Sequence, residues 1–180
     1  MQLVAQSIIC YNNFVYKKMV KKSLNILQIS NEDGCFDLQF RKDTRHERTN
    51  SPTYYRWKAQ FIITNPKSSK NILEKIKKEF GCGMVNISKG QARYSVQKID
   101  EISQTVLPYF RKHSLEQSKR KHFMLWAKAV EIIGRNKGTN LVEWKKTDVF
   151  SLIEIHKSLA KHKHNPRKAK WMDMAKSFTK

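Results

Sequence analysis

A carboxylate placed directly before a glycine, at the foot of an apolar helical pattern, is the feature of this sequence best suited to chemistry. Residues 24–36 read LNILQISNEDGCF. Apolar side chains at Leu24, Ile26, Leu27 and Ile29 give way to Asn-Glu-Asp-Gly. After Gly34 the period becomes strictly alternating, with Phe36, Leu38 and Phe40 set against Asp37, Gln39 and Arg41. A change of period at a glycine predicts a helix that runs straight into a half-buried strand. Asp33 then falls in the last helical turn, where the helix dipole disfavours a carboxylate. A bound cation would relieve that mismatch. Gly34 is expected to adopt the left-handed backbone of a helix C-cap.

A second set of residues could recognise rather than react. If Phe36, Leu38 and Phe40 point inward, Asp37, Gln39 and Arg41 point outward. The same rule turns Arg56, Lys58, Gln60, Ile62 and Thr64 outward from the next strand, then Met84, Asn86 and Ser88, then Arg93 and Ser95. Arginine and glutamine make paired contacts to guanine and adenine edges, and a β-ribbon fits the major groove. A solvated sheet face is the bland alternative, and the surplus of Arg, Lys and Gln over Glu favours nucleic acid. His156, His162 and His164 lie near the C-terminus among lysines with no cysteine beside them, a pattern of a basic tail rather than a metal centre. Trp57, Trp126, Trp144 and Trp171 read as core anchors.

These residues must be carried by a basic chain of 180 residues, with 36 Lys and Arg against 15 Asp and Glu and a net charge of +21. Such a chain repels itself unless a polyanion neutralises it, and DNA or RNA is the natural partner. A ribosomal or membrane-surface role is the bland alternative. Cys10, Cys35 and Cys82 are widely spaced and form no CxxC pair, which argues against a zinc ribbon and fits a reducing, intracellular compartment. No apolar run approaches membrane-spanning length, and residues 2–10 lack the marks of a secretory signal.

The patterns predict strands at 35–41 and 54–65, joined by a charged, turn-rich loop at 42–53. A helix is expected at 69–80, ended by Gly81-Cys82-Gly83. A hairpin follows, Met84 to Ser88 and Ala92 to Val96 around Lys89-Gly90-Gln91. Helices at 98–111, with Pro108 able to kink it, and at 118–133 complete the pattern. The fold class expected is α+β. Residues 22–134 form a core ordered αββαββα, in which a four-stranded antiparallel sheet packs helices on one face. Residues 1–21 read as an N-terminal extension and 135–180 as a basic helical region.

The segment ILQISNEDG, with the element order around it, resembles the signature of the LAGLIDADG homing endonucleases. So do IITNPKSSKNILEKIKKEFGCG, YFRKHSLEQSKRKHFMLWAKAVEII and the basic IHKSLAKHKHNPRKAKW. The resemblance runs from about residue 22 to 170 and contains one signature, so it implies a homodimer paired through Leu24, Leu27, Gln28 and Glu32. It implies a double-strand DNA endonuclease using Mg²⁺ or Mn²⁺, encoded within an intron, and an organelle such as the mitochondrion or chloroplast. Asp33 would be the catalytic metal ligand, with the Gly34 carbonyl beside it. Asn65 would position water, and Lys119, with Gln117 nearly as well aligned, would support the site. For Asn65 an Asx turn into Pro66, and for Lys119 a solvated lysine, are the alternatives.

This sequence departs from the signature where two such helices cross. The family has small residues there, and here stand Gln28 and Glu32; a helix-capping acid is replaced by Asn31. Long polar side chains should widen the crossing or demand compensating hydrogen bonds. They favour a second reading, a non-cleaving intron RNA maturase or DNA-binding protein on the same fold.

Overall fold

In a computed structural model of the chain, residues 25–44, 53–161 and 171–178 are described. Leu24, the expected N-terminal extension, the loop residues 45–52, His162 and His164 lie outside them. Helix α1, Ile26–Asp33, is opened by Asn25, whose side chain accepts from the Gln28 amide at 3.0 Å. It passes without a loop into strand β1, Gly34–Thr44. Strand β2 spans Thr53–Pro66, and a 3₁₀ turn at Lys67–Ser69 leads into α2, Lys70–Phe80. Strands β3, Met84–Ser88, and β4, Gln91–Val96, follow. Lys89 and Gly90 both have positive φ, 50° and 76°, the two-residue turn whose twist suits a tight hairpin.

The sheet is four-stranded and antiparallel, in the order β1-β2-β4-β3. Helix α3 covers 99–112 in three pieces: Ile99–Glu101, a π-helical Ile102–Val106, and Leu107–Lys112. The π segment stands just before Pro108, so the missing proline N–H is absorbed without breaking the rod. Helix α4 is Gln117–Arg135, α5 is Lys146–Lys161, and α6 is Met172–Ser177.

Burial follows the predicted alternation on β1 and β2. Phe36, Leu38 and Phe40 meet Trp57, Ala59, Phe61 and Ile63 on the inner face, all buried. Phe36 is the hub, with ring centroids 5.1–5.3 Å from Phe61, Phe110, Phe123 and Trp126. Each such aromatic contact adds about 0.5–1.5 kcal/mol to area burial. Helix α5 packs on α4 and β1, so the C-terminal region shares this core. Asp148 fastens it: its carboxylate accepts from Arg135 and Asn136 at the end of α4. Those hydrogen bonds, from Arg135 first, hold the Asp148 carboxyl below its ordinary value. Trp57 and Trp126 are buried; Trp144 and Trp171 pack partly buried against the core.

Two expectations fail. Residues 42–44, expected in the loop, extend β1 to Thr44 because they pair with Tyr55, Tyr54 and Thr53 of β2. Gly34 is not left-handed; its backbone is extended, φ −74° and ψ 141°. Glycine is needed there because a Cβ would lie 2.4 Å from the Ser30 carbonyl oxygen. The chain leaves the helix so sharply that the new strand grazes the last turn.

Candidate functional site

The abrupt exit from α1 leaves Asp33 exposed at the rim of the sheet. Gly34 pairs with Ile63, so β2 continues past the helix end and carries Asn65 alongside it. Asn65 Nδ2 donates to Asp33 Oδ2 at 3.0 Å. Lys119, in the first turn of α4, donates from Nζ to the Gly34 carbonyl at 2.6 Å. Gln117 is exposed in the same turn. Asn31 Oδ1 accepts the Glu116 N–H at 3.2 Å and so holds the start of α4 against α1. Asp33, Gly34, Asn65 and Lys119 are therefore brought together from α1, β1, β2 and α4.

The donors offered here are hard oxygens, the chemistry of Mg²⁺ or Mn²⁺ rather than of zinc. Among the described residues no cluster of three or more His, Cys, Asp or Glu could enclose an ion. The Gly34 carbonyl already accepts from Lys119, which leaves it one further lone pair. Asn65 Oδ1 is buried with no hydrogen-bond partner among the described residues, an acceptor suited to a water. The set suits a hard divalent ion whose remaining ligands come from outside the chain.

From this rim the outer sheet face runs across all four strands. Arg41 pairs in register with Arg56, Gln39 with Lys58, Asp37 with Gln60, Ile62 with Ser95, Thr64 with Arg93, and Asn86 with Arg93. Arg41, Arg56, Met84, Asn86 and Ser88 are exposed, and Gln39, Lys58, Thr64 and Arg93 half-buried. Asp37, Gln60, Ile62 and Ser95 share the face but are buried, so in the free chain they are not available for direct contact. Asp43 bridges Arg41 and Arg56. Burial first, then the like charges of Arg41 and Arg56, hold the Lys58 ammonium below its ordinary pKa. Arg93 Nε is a buried donor with no partner among the described residues. On this face the basic side chains Arg41, Arg56, Lys58 and Arg93 outnumber the carboxylates of Asp37 and Asp43, which favours a polyanion.

Two residues of this surface escaped the sequence reading. Gln97 accepts from Lys58 Nζ at 2.6 Å and donates to Ser95 Oγ at 3.2 Å. It continues the alternation of Arg93 and Ser95 by one step past the end of β4. Asp43 continues Asp37, Gln39 and Arg41 in the same way, but its segment has the composition of a loop.

The exposed face of α1 carries Gln28 and Glu32, with Leu27 half-buried beside them. Gln28 Nε2 donates to Glu32 Oε1 at 3.1 Å within the same helix. The two departures at the helix crossing, Gln28 and Glu32, thus satisfy each other in part inside one chain. His156 is half-buried edge-on to Trp57, 6.2 Å between centroids, a packing role.

The model of the LAGLIDADG endonuclease family matches residues 30–130. This chain belongs to that family. Among solved structures, the homing endonuclease I-TnaI is 17% identical with a TM-score of 0.64, covering 86% of this chain and 95% of its own. I-SmaMI bound to uncleaved DNA with calcium ions is 20% identical at TM-score 0.65, with 83% of this chain matched to 48% of that one. I-GzeII in complex with its DNA target is 20% identical at TM-score 0.63, with 83% matched to 47%. The LAGLIDADG chain described here thus spans nearly all of I-TnaI and about half of the other two. These likenesses establish the LAGLIDADG fold. A comparison with curated proteins gave no match. No helix among the described residues is long and apolar enough to cross a membrane.

Proposed function

We propose that this LAGLIDADG chain is a site-specific double-strand DNA endonuclease that works as a homodimer with Mg²⁺ or Mn²⁺. The observation that carries the reading is the meeting of Asp33, Asn65 and Lys119 at the rim of a basic sheet face. Relatives of the same fold are bound to DNA targets, one of them in the presence of calcium ions. DNA would lie along the outer face, held by Arg41, Arg56, Lys58 and Arg93 and read by Gln39, Asn86 and their neighbours. A divalent ion, when bound, activates water and neutralises charge on the phosphate. Asp33 would hold it by one carboxylate oxygen while Asn65 keeps that carboxylate oriented and offers Oδ1 to water. Lys119 would place positive charge beside the phosphate. One Asp33 per chain supplies one site, so cutting both strands takes two chains.

Incubating the wild-type chain with a plasmid library, with and without Mg²⁺, tests the reading. Linear product at a defined sequence is expected only with Mg²⁺, and Asp33→Asn should abolish it while binding persists. Cutting at the wild-type rate by Asp33→Asn would remove Asp33 from the role. A second reading, a DNA- or intron-RNA-binding protein that does not cut, is favoured by the polar Gln28 and Glu32 at the helix face meant for pairing. It predicts tight binding with no product under any divalent ion, and a shift assay with structured intron RNA separates its two forms.

A further inference from the structure

We propose that Asp37 is a positioning residue for base recognition: it fixes the side-chain amide of Gln39 and thereby the hydrogen-bonding pattern that the sheet presents. This rests on the DNA-binding reading of the outer face. A carboxylate near the middle of a surface meant for a polyanion is unfavourable unless it serves its neighbours. Asp37 is 6% exposed, and its Oδ2 accepts from Gln39 Nε2 at 2.5 Å and from Gln60 Nε2 at 2.8 Å.

A carboxylate only accepts, so only the NH₂ end of each amide can face it. The usual freedom of a glutamine to interchange its oxygen and nitrogen is thereby removed. Gln60 is 4% exposed and cannot reach a ligand; its part is to hold the carboxylate from the neighbouring strand. Gln39 is half-buried, and among the described residues its Oε1 and one N–H have no partner and are left for an incoming one. An acceptor and a donor in fixed order complement the N6 and N7 edge of adenine in the major groove. From beneath, Trp126 Nε1 donates to the Asp37 main-chain oxygen at 3.0 Å, so the strand is pinned to the core at the same residue. Changing the Asp37 side chain leaves that bond intact.

The experiment is selection from a randomised duplex library by the full chain and by Asp37→Asn, Gln39→Ala and the double variant, followed by sequencing. The wild type should enrich adenine at one position that Gln39→Ala no longer selects. Asp37→Asn should lower preference at that same position by on the order of tenfold, with other positions unchanged. Added to Gln39→Ala it should change nothing. A purely structural role would instead weaken all positions alike. Equal loss everywhere, or an unchanged preference at the Gln39 position, overturns the proposal while leaving DNA binding standing. Enrichment of nothing by the wild type would sink the DNA-binding reading itself. A second measurement needs no DNA. Between the wild type and Asp37→Asn the side-chain amide NMR signals of both Gln39 and Gln60 should move; a Gln39 signal that stays still overturns the proposal.

Discussion

A Cβ at position 34 would lie 2.4 Å from one backbone oxygen and 2.9 Å from a backbone carbon, both of Ser30. Alanine can adopt the extended dihedrals found there, so conformational freedom alone would make Gly34→Ala harmless. Close approach predicts otherwise: a loss of roughly 1–3 kcal/mol, the range of overpacking, read from a denaturant midpoint. An unchanged midpoint would return the glycine to a matter of dihedral preference. Tyr94 supplies a pH prediction. It is fully buried, with its hydroxyl donating to the Cys82 carbonyl at 3.2 Å, and burial above all pushes its pKa far above the ordinary 10.0. The unfolded chain therefore gives up this proton at a pH where the folded chain keeps it. Stability from this group is whole below pH 10.0 and is lost as pH rises beyond it. Tyr94→Phe should be slightly less stable at neutral pH but should lose less stability in alkali. Parallel alkaline slopes for the two proteins would contradict this.

The period of two in β1, β2 and β4 and the spacing of apolar residues in α2 and α4 were legible because each element has one wet and one dry side. The ends of β1 and β2 were not. Lys42 to Thr44 are charged or polar and look like loop, yet pairing with Tyr55, Tyr54 and Thr53 continues the strands. The order β1-β2-β4-β3 follows from packing between elements, which no local pattern encodes. Asp33, Asn65 and Lys119 were picked out through the family resemblance, and their meeting could not be read from spacing, since Lys119 lies far along the chain from Gly34. The burial of Asp37 and Gln60 was hidden because alternation names a face and not its depth. Helix α1 makes the element-scale prediction. If it pairs with a second copy of itself, two Glu32 carboxylates approach at a crossing where small residues would pack better. The bond from Gln28 lessens that cost without removing the charge. Sedimentation should show a weak dimer, tightened by DNA and by Gln28→Ala with Glu32→Ala. A tight wild-type dimer loosened by the alanines would mean that these side chains form a polar interface in their own right.

Across the whole molecule, basic charge is found on the sheet and on the helices, and the total of +21 makes salt the natural probe. Binding to a duplex should weaken steeply between low and moderate salt, by several powers of ten if about six or more phosphates are contacted. A flat response would remove the nucleic-acid reading. In the proposed function two chains act together, each cutting one strand through its own Asp33. A mixed dimer is the decisive test. One differently tagged subunit would carry Asp33→Asn, and the isolated heterodimer would be given a supercoiled plasmid containing the selected site, with Mg²⁺. Nicked circles, cut in one strand only, are expected where the wild-type dimer gives linear DNA and the doubly substituted dimer gives neither. Linear product from the mixed dimer, or wild-type cutting that scales with monomer alone, would contradict it.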